Sequence, residues 1–345
     1  MASKKQRKTV PAQPRKKSKA NKGRWGWLRV ALPIVFIAYL VLQHFVFQPH
    51  SDSNWVNYSF TEIGFMPSVF ACLIMVIFSV RRWKLLLVWL LLLALEIVVG
   101  GHPNFGSRPV DAPGKTLKVL TYNIAHWSID KPGVMSVLKE SQADIIFIQE
   151  ACEISKQKAT GEALCRELKG YQYVCASTNM ILSRYPIMLK RTLDVPTKWP
   201  VKQFPEALVE TPLGRIRVMC VHLEPSWVEK FPPDFGEFVP VISKVVEDRH
   251  SQVDLILAAL RPSKEPVILA GDFNGSPGSE SVTRVSQYFK DSFATTERGF
   301  GMTLLPKLPY KRIDYVWTRG LTPYESEVIQ SVASDHKPVL TNLGL

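Results

Sequence analysis

Several short apolar runs in this chain end in side chains able to hold a metal ion or a phosphate. TYNI supplies Asn123, FIQE supplies Glu150, and VMCVHL supplies His222. PVILAGDFNGSP supplies Asp272 and Asn274, RIDY supplies Asp314, and ASDHKP supplies Asp335 and His336. Taken singly, each has a plainer explanation, since a strand-end Asn forms turns and a lone His packs into cores. A carboxylate at the mouth of a buried strand is poorly hydrated and ionises only with partners. Carboxylates, carboxamides and imidazoles gathered at strand ends can bind a hard cation and do acid–base work on a phosphoryl group.

The elements that must position them follow from the hydrophobic pattern. LKVLTYNI and ADIIFIQE are strand-like, with a helical segment around Val134–Glu140 between them. EALVETPLGRIRVMCVHL reads as two strands joined by a turn at Pro212–Gly214. From Phe238 to Arg261, Val241, Val245, Val253, Leu257 and Leu260 recur at helical spacing. Val267–Ala270 is bounded by Pro266 and a Gly- and Pro-rich turn, which suits a fully buried strand. RIDYVWT and DHKPVLTNL complete a pattern that predicts one α/β domain over residues 117–345.

The order of these tips resembles the endonuclease/exonuclease/phosphatase superfamily, which includes DNase I-like nucleases, abasic-site endonucleases, inositol phosphatases and neutral sphingomyelinases. GDFN at 271–274 and SDHKP at 334–338 are the most specific pieces. YN at 122–123, IQE at 148–150, ILSRYPI at 181–187 and RIDY at 312–315 support them. The resemblance implies two packed mixed β-sheets flanked by helices, a DNase I-like four-layer sandwich. It also implies a metal-dependent phosphoric ester hydrolase using Mg²⁺, with Mn²⁺ as a possible substitute. By the same resemblance Glu150 is the main metal ligand, Asp335 an outer ligand or a second metal contact, and Asn123 orients the carboxylate or the phosphate. Asp272 orients or deprotonates the attacking water, and Asn274 hydrogen-bonds the phosphate. His336 faces the scissile group with Asp314 fixing its tautomer, and His222 serves as acid for the leaving oxygen. One departure stands out: abasic-site endonucleases carry an acidic residue two positions after the first Asn, and this chain has Ala125.

The first hundred residues have a different composition. Apolar stretches at 25–47, 63–80 and 83–101 predict three transmembrane helices, the last two joined by Arg81 and Arg82. Residues 1–24 form a basic tail expected to be disordered, and 102–116 read as a linker. Lys and Arg flank the first stretch and the hairpin corner while 48–62 has neither, so the positive-inside rule puts the N-terminus in the cytoplasm. Three crossings then leave the catalytic region outside a plasma or inner membrane. Glu96, near the outer end of its stretch, is expected to snorkel to water.

The net charge of +13 belongs largely to the tail, since residues 111–345 hold 28 Lys/Arg against 27 Asp/Glu. The expected partners are membrane lipids and a phosphoester substrate, whether lipid headgroup, small molecule or nucleic acid. Near-neutrality of the catalytic region disfavours duplex DNA, which nonspecific binders engage by neutralising several phosphates. A DNase I-like nuclease and an inactive binding module on the same fold are the alternatives. A transporter is disfavoured because Glu96 and His44 are the only polar candidates in the apolar stretches. No cysteine spacing resembles a zinc site, and Cys152 with Cys165 is the closest pair available for a disulfide.

Overall fold

A computed structural model describes residues 27–50, 55–58, 65–101, 103–105, 114–197, 202–225, 235–307 and 311–345. The basic 1–24 tail lies outside them. The first strands are β1 (Leu117–Asn123), β2 (Ile145–Gln149), β3 (Gln172–Ala176), β4 (Asn179–Ser183), β5 (Ile187–Asp194) and β6 (Gln203–Thr211). β7 (Gly214–His222), β8 (Val267–Asp272), β9 (Lys290–Asp291), β10 (Asp314–Arg319), β11 (Thr322–Val328) and β12 (Val339–Gly344) follow. They form two mixed sheets, ordered β11-β12-β1-β2-β4-β3 and β5-β6-β7-β8-β10-β9. The helices are α1 (Leu28–Val41), α2 (Trp55–Tyr58), α3 (Phe65–Ser79), α4 (Trp83–Gly101), α5 (Lys131–Glu140) and α6 (Gln157–Glu167). The longest, α7 (Phe235–Leu260), is followed by the short α8 (Glu280–Ser286) and α9 (Ser292–Thr296).

Strand alternation builds the layers. Val119, Ile145, Phe147, Val218, Ile268, Ala270 and Val316 point inward and interlock between the sheets. Their neighbours Leu120, Ile146 and Ile148 point outward onto Val134 and Leu138 of α5 and Leu164 of α6. On the other side Val221, Leu269 and Trp317 meet Val253, Ile256 and Leu260 of α7. Central strands are therefore covered on both faces, which explains their near-continuous apolar runs. The result is the expected sandwich of two mixed sheets flanked by helices.

The structure differs from the sequence expectations at several points. Among the described residues, two helices, Leu28–Phe47 and Trp83–Gly100, are long and apolar enough to cross a membrane, rather than three. The middle helix, α3, has 15 residues, about 22 Å at 1.5 Å per residue against a hydrocarbon core of about 30 Å. Residues 59–64 before it lie outside the described residues, and its C-terminal end is set by the turn in which Arg82 N–H donates to Ser79 O at 2.8 Å. Glu96 does not reach water. It is fully buried, accepting from Ser68 Oγ and lying 2.9 Å from His44 Nε2, because it faces the packed interior where neighbours satisfy it. In the segment read as a linker, Asn104 pairs through its backbone with Gly299, at 2.7 and 2.9 Å. Finally, the DHKPVLTNL strand begins only at Val339, since Lys337 N–H turns away to donate to Thr303 O at 2.7 Å. All five cysteines are free thiols, so Cys152 and Cys165 do not pair.

Candidate active site

The inward-facing columns of the sandwich change from apolar to polar at one end. On β1, Leu117 and Val119 lead to Asn123; on β7, Val218 and Cys220 lead to His222. On β8, Ile268 and Ala270 lead to Asp272, and on β10, Val316 leads back to Asp314. Parallel pairing sets His222 beside Asp272, and antiparallel pairing sets Asp314 opposite it. Asn123 Nδ2 crosses between the sheets to donate to Asp272 Oδ2 at 3.1 Å and to Glu150 Oε1 at 3.2 Å. Glu150 itself follows β2 in a left-handed conformation (φ 54°), as does Asn274 after β8 (φ 49°). Such strained tips are typical of positions where a side chain must be re-aimed.

Asp272 is 1% exposed, and Asn274 N–H donates to its Oδ1 at 2.8 Å. Asn274 Nδ2 donates to Leu223 O at 3.0 Å, which orients the carboxamide. His336 Nδ1 lies 2.9 Å from Asp314 Oδ2, and its Nε2 lies 3.7 Å from Asp272 Oδ2. His222 Nε2 is 3.7 Å from Asp272 Oδ2 and 3.9 Å from Glu150 Oε1. Asn123, Glu150, His222, Asp272, Asn274, Asp314 and His336 thus gather in one place. Asp335 stands beside this cluster, its Oδ1 accepting from Ser334 Oγ at 3.2 Å.

The electrostatics follow from burial and like charges. Burial, with the Asp314 carboxylate beside it, pushes Asp272 up to about 7. Burial works against a charged His336, but the Asp314 and Asp272 carboxylates outweigh it and raise the imidazole to about 10. His222 goes the other way: burial, then the Lys202 and His336 charges, hold it well below the usual histidine range. Burial and neighbouring charge therefore push the two histidines of one site in opposite directions.

The profile of the Endonuclease/Exonuclease/phosphatase family matches residues 120–336, which include every tip just described. The chain belongs to that family. A UPF0294 protein of Yersinia enterocolitica is 27% identical over 263 residues, covering 71% of this chain and 92% of its own. A second UPF0294 protein, from Vibrio campbellii, is 32% identical over 105 residues, covering 29% and 35% respectively. Among solved structures, a humanized D. rerio TDP2 superposes with a TM-score of 0.50 at 17% identity, covering 67% of this chain and 99% of that one. An endonuclease/exonuclease/phosphatase from Beutenbergia cavernae gives 0.49 at 19% identity, covering 67% and 72%.

Members of the family are generally divalent-metal dependent, and the residues here fit such an ion. One ligand atom each from Asp272, Asp314 and His336 lies within 4.8 Å of the others. Asp314 Oδ1 is buried with no hydrogen-bond partner among the described residues, so a ligating oxygen is left over. Carboxylate and carboxamide oxygens of Glu150, Asp272 and Asn123 are the donors a hard cation prefers.

Two groups in this end of the sandwich escaped the sequence reading. Lys202 Nζ donates to the fully buried Glu224 Oε2 at 3.2 Å, and Thr197 Oγ1 donates to the same oxygen at 2.9 Å. Burial outweighs the neighbouring carboxylates and lowers Lys202. Continuing the β6–β7 register, with Glu206 opposite Met219, would have set Gln203 opposite His222 and Lys202 one step beyond. His126 Nε2 lies 3.4 Å from Glu150 Oε2. It is brought there by three consecutive left-handed residues, Ala125, His126 and Trp127, which no local pattern announces.

Proposed function

We propose that this protein is a membrane-anchored, Mg²⁺-dependent phosphoesterase that hydrolyses a phosphodiester or phosphomonoester by in-line attack of water. The observation that carries the reading is the Asn123–Asp272 contact between the two sheets, with His336 held by Asp314 alongside. Glu150 and Asn123, with Asp335 at the edge, would hold the ion. When bound, the ion polarises a phosphoryl oxygen and stabilises the charge that develops on it.

The chain's own residues supply the remainder. Asp272, with its raised proton affinity, takes a proton from the attacking water. The Asn274 amide and the Asn123 carboxamide fix that carboxylate so that it points at the attacking side. His336, held protonated by Asp314, offers its Nε2 proton to a phosphoryl oxygen. His222 is neutral in the free site and gains proton affinity when a phosphate's negative charge arrives beside it, so it can pass a proton to the leaving oxygen. The apolar helices are read as the anchor; taking the shorter apolar helix α3 as a third crossing between the two long ones gives a cytoplasmic N-terminus and a catalytic region on the outer side.

The test is a substrate panel on the purified protein with Mg²⁺ or EDTA: plasmid DNA, RNA, sphingomyelin, inositol phosphates and a chromogenic diester. Hydrolysis of at least one, abolished by EDTA and restored by Mg²⁺ or Mn²⁺, is expected. Binding without hydrolysis across the panel would make the protein an inactive member of the fold.

A further inference from the structure

The apolar helices are fastened to the catalytic domain at its active-site end. Asn104 lies three residues beyond the last residue of α4, at most about 10 Å of chain. Its backbone pairs with Gly299 in both directions, and its Nδ2 donates to Ala294 O at 2.8 Å and also to Glu297 O. The segment after α1 is fastened too: residues 48–50 pack against α8, and α2 packs against α7. Both α7 and α8 follow strands, β7 and β8, whose ends carry His222 and Asp272.

From Gly299 the chain runs directly to the site. Phe300 and Met302 follow, then Leu304 bridges His336 and Leu305 N–H donates to Asp335 O at 2.8 Å. This edge is apolar where water would be expected: Phe105 is 76% exposed and Leu305 is 45% exposed. Beside it lies an open groove of about 330 Å³ lined by apolar Phe293, Phe300, Met302 and Val328 and, in equal measure, by polar side chains that include Glu327 and Lys337.

We infer that the substrate is a phosphoester borne by a membrane lipid, presented to the site from the leaflet that adjoins the catalytic domain. The inference rests on the phosphoesterase reading and on the apolar helices as an anchor, and adds where the substrate comes from. Residues 299–305 are the edge that meets the bilayer, and the groove seats apolar lipid there. The reaction adds water across one P–O ester bond. Phosphorus gains the water oxygen, the ester bond breaks, and the leaving alkoxide oxygen takes the proton.

The test uses the full chain reconstituted in vesicles of phosphatidylethanolamine, phosphatidylglycerol and phosphatidic acid. An environment-sensitive fluorophore is placed through Leu305→Cys and, as a control, through Met188→Cys at the far end of β5, where exposure is also high. A lipid-borne quencher is expected to quench the first at least fivefold more than the second. Equal quenching would overturn the inference. In parallel, Phe300→Ser with Met302→Ser is expected to lower hydrolysis of vesicle lipid at least tenfold. The same variant should hold the rate on soluble bis(p-nitrophenyl) phosphate within twofold. Vesicle lipids left intact while the soluble diester is cleaved would overturn the lipid assignment alone. Failure on the soluble diester as well would overturn the phosphoesterase reading with it.

Discussion

Asp272 touches more of the site than any other side chain described here, and its chemistry sets the sharpest tests. Asp272→Asn, Glu150→Gln and His336→Ala are each expected to lower turnover at least about a hundredfold, the scale of one positioned acid or base. Far-ultraviolet circular dichroism should show each variant folded, and a fully active His336→Ala enzyme would remove the assignment. Metal-free protein should also show a defined pH dependence of stability. His336 titrates at about 10 when folded against an ordinary 6.5. Its contribution is therefore full below about 6.5 and lost as pH rises to about 10. Asp272 is raised from 3.8 to about 7, so it too contributes at low pH and opposes folding as pH rises through 7. Thermal midpoints in EDTA should fall steadily from pH 4 to 10, and Asp272→Asn should flatten the part below 7. Lys202 allows a separate check. Lys202→Met strands the buried Glu224 carboxylate and should cost about 3–5 kcal/mol of stability. Adding Glu224→Gln should recover a good part of that in urea denaturation.

At the scale of elements, strand register does the positioning. A shift of β8 by one residue would turn Asp272 out toward α7 and bring Leu269 into its column. Gly271 locks that register. It sits at φ 146°, and a Cβ there would overlap the carbonyl oxygen of Val221 on β7, the residue paired with it. Gly271→Ala is expected to destabilise the fold by about 1–3 kcal/mol, the usual cost of forced overpacking, and to lower activity by splaying His222 from Asp272. A denaturation midpoint unchanged from wild type would show that β7 and β8 can part without cost.

At the scale of the whole molecule, charge and anchoring decide what the site meets. Residues 111–345 carry 28 basic and 27 acidic side chains, too balanced to neutralise a run of DNA phosphates. Small or lipid phosphoesters are therefore expected to be cleaved at least as well as duplex DNA, with a shallow dependence on salt. Efficient plasmid nicking that collapses between low and moderate salt, with the other substrates untouched, would put the nuclease reading first. The proposed topology has its own readout. A reporter active only outside the cytoplasm should work when fused after Leu345 and fail after Lys84, and the opposite pattern would invert it.

The sequence by itself determined the strands, the order of their tips and the identity of nearly every polar group in the cluster, and the family resemblance of those tips implied the sandwich. It could do so because those features are local: an apolar run with an Asn, Asp, Glu or His at or just beyond its end. It could not determine what those groups touch. That Asn123 bonds an aspartate 149 residues away, or that Lys202 and Glu224 form a buried pair behind His222, depends on strands from separate parts of the chain meeting in register. The same holds for Glu96, an apparent candidate for water in one dimension and a fully partnered carboxylate once α1, α3 and α4 pack. Only tertiary structure pinned Asn104, three residues past α4, to Gly299. Hydrophobic pattern specifies which face of each strand is buried, whereas the polar contacts arise from long-range closure that no local signal encodes.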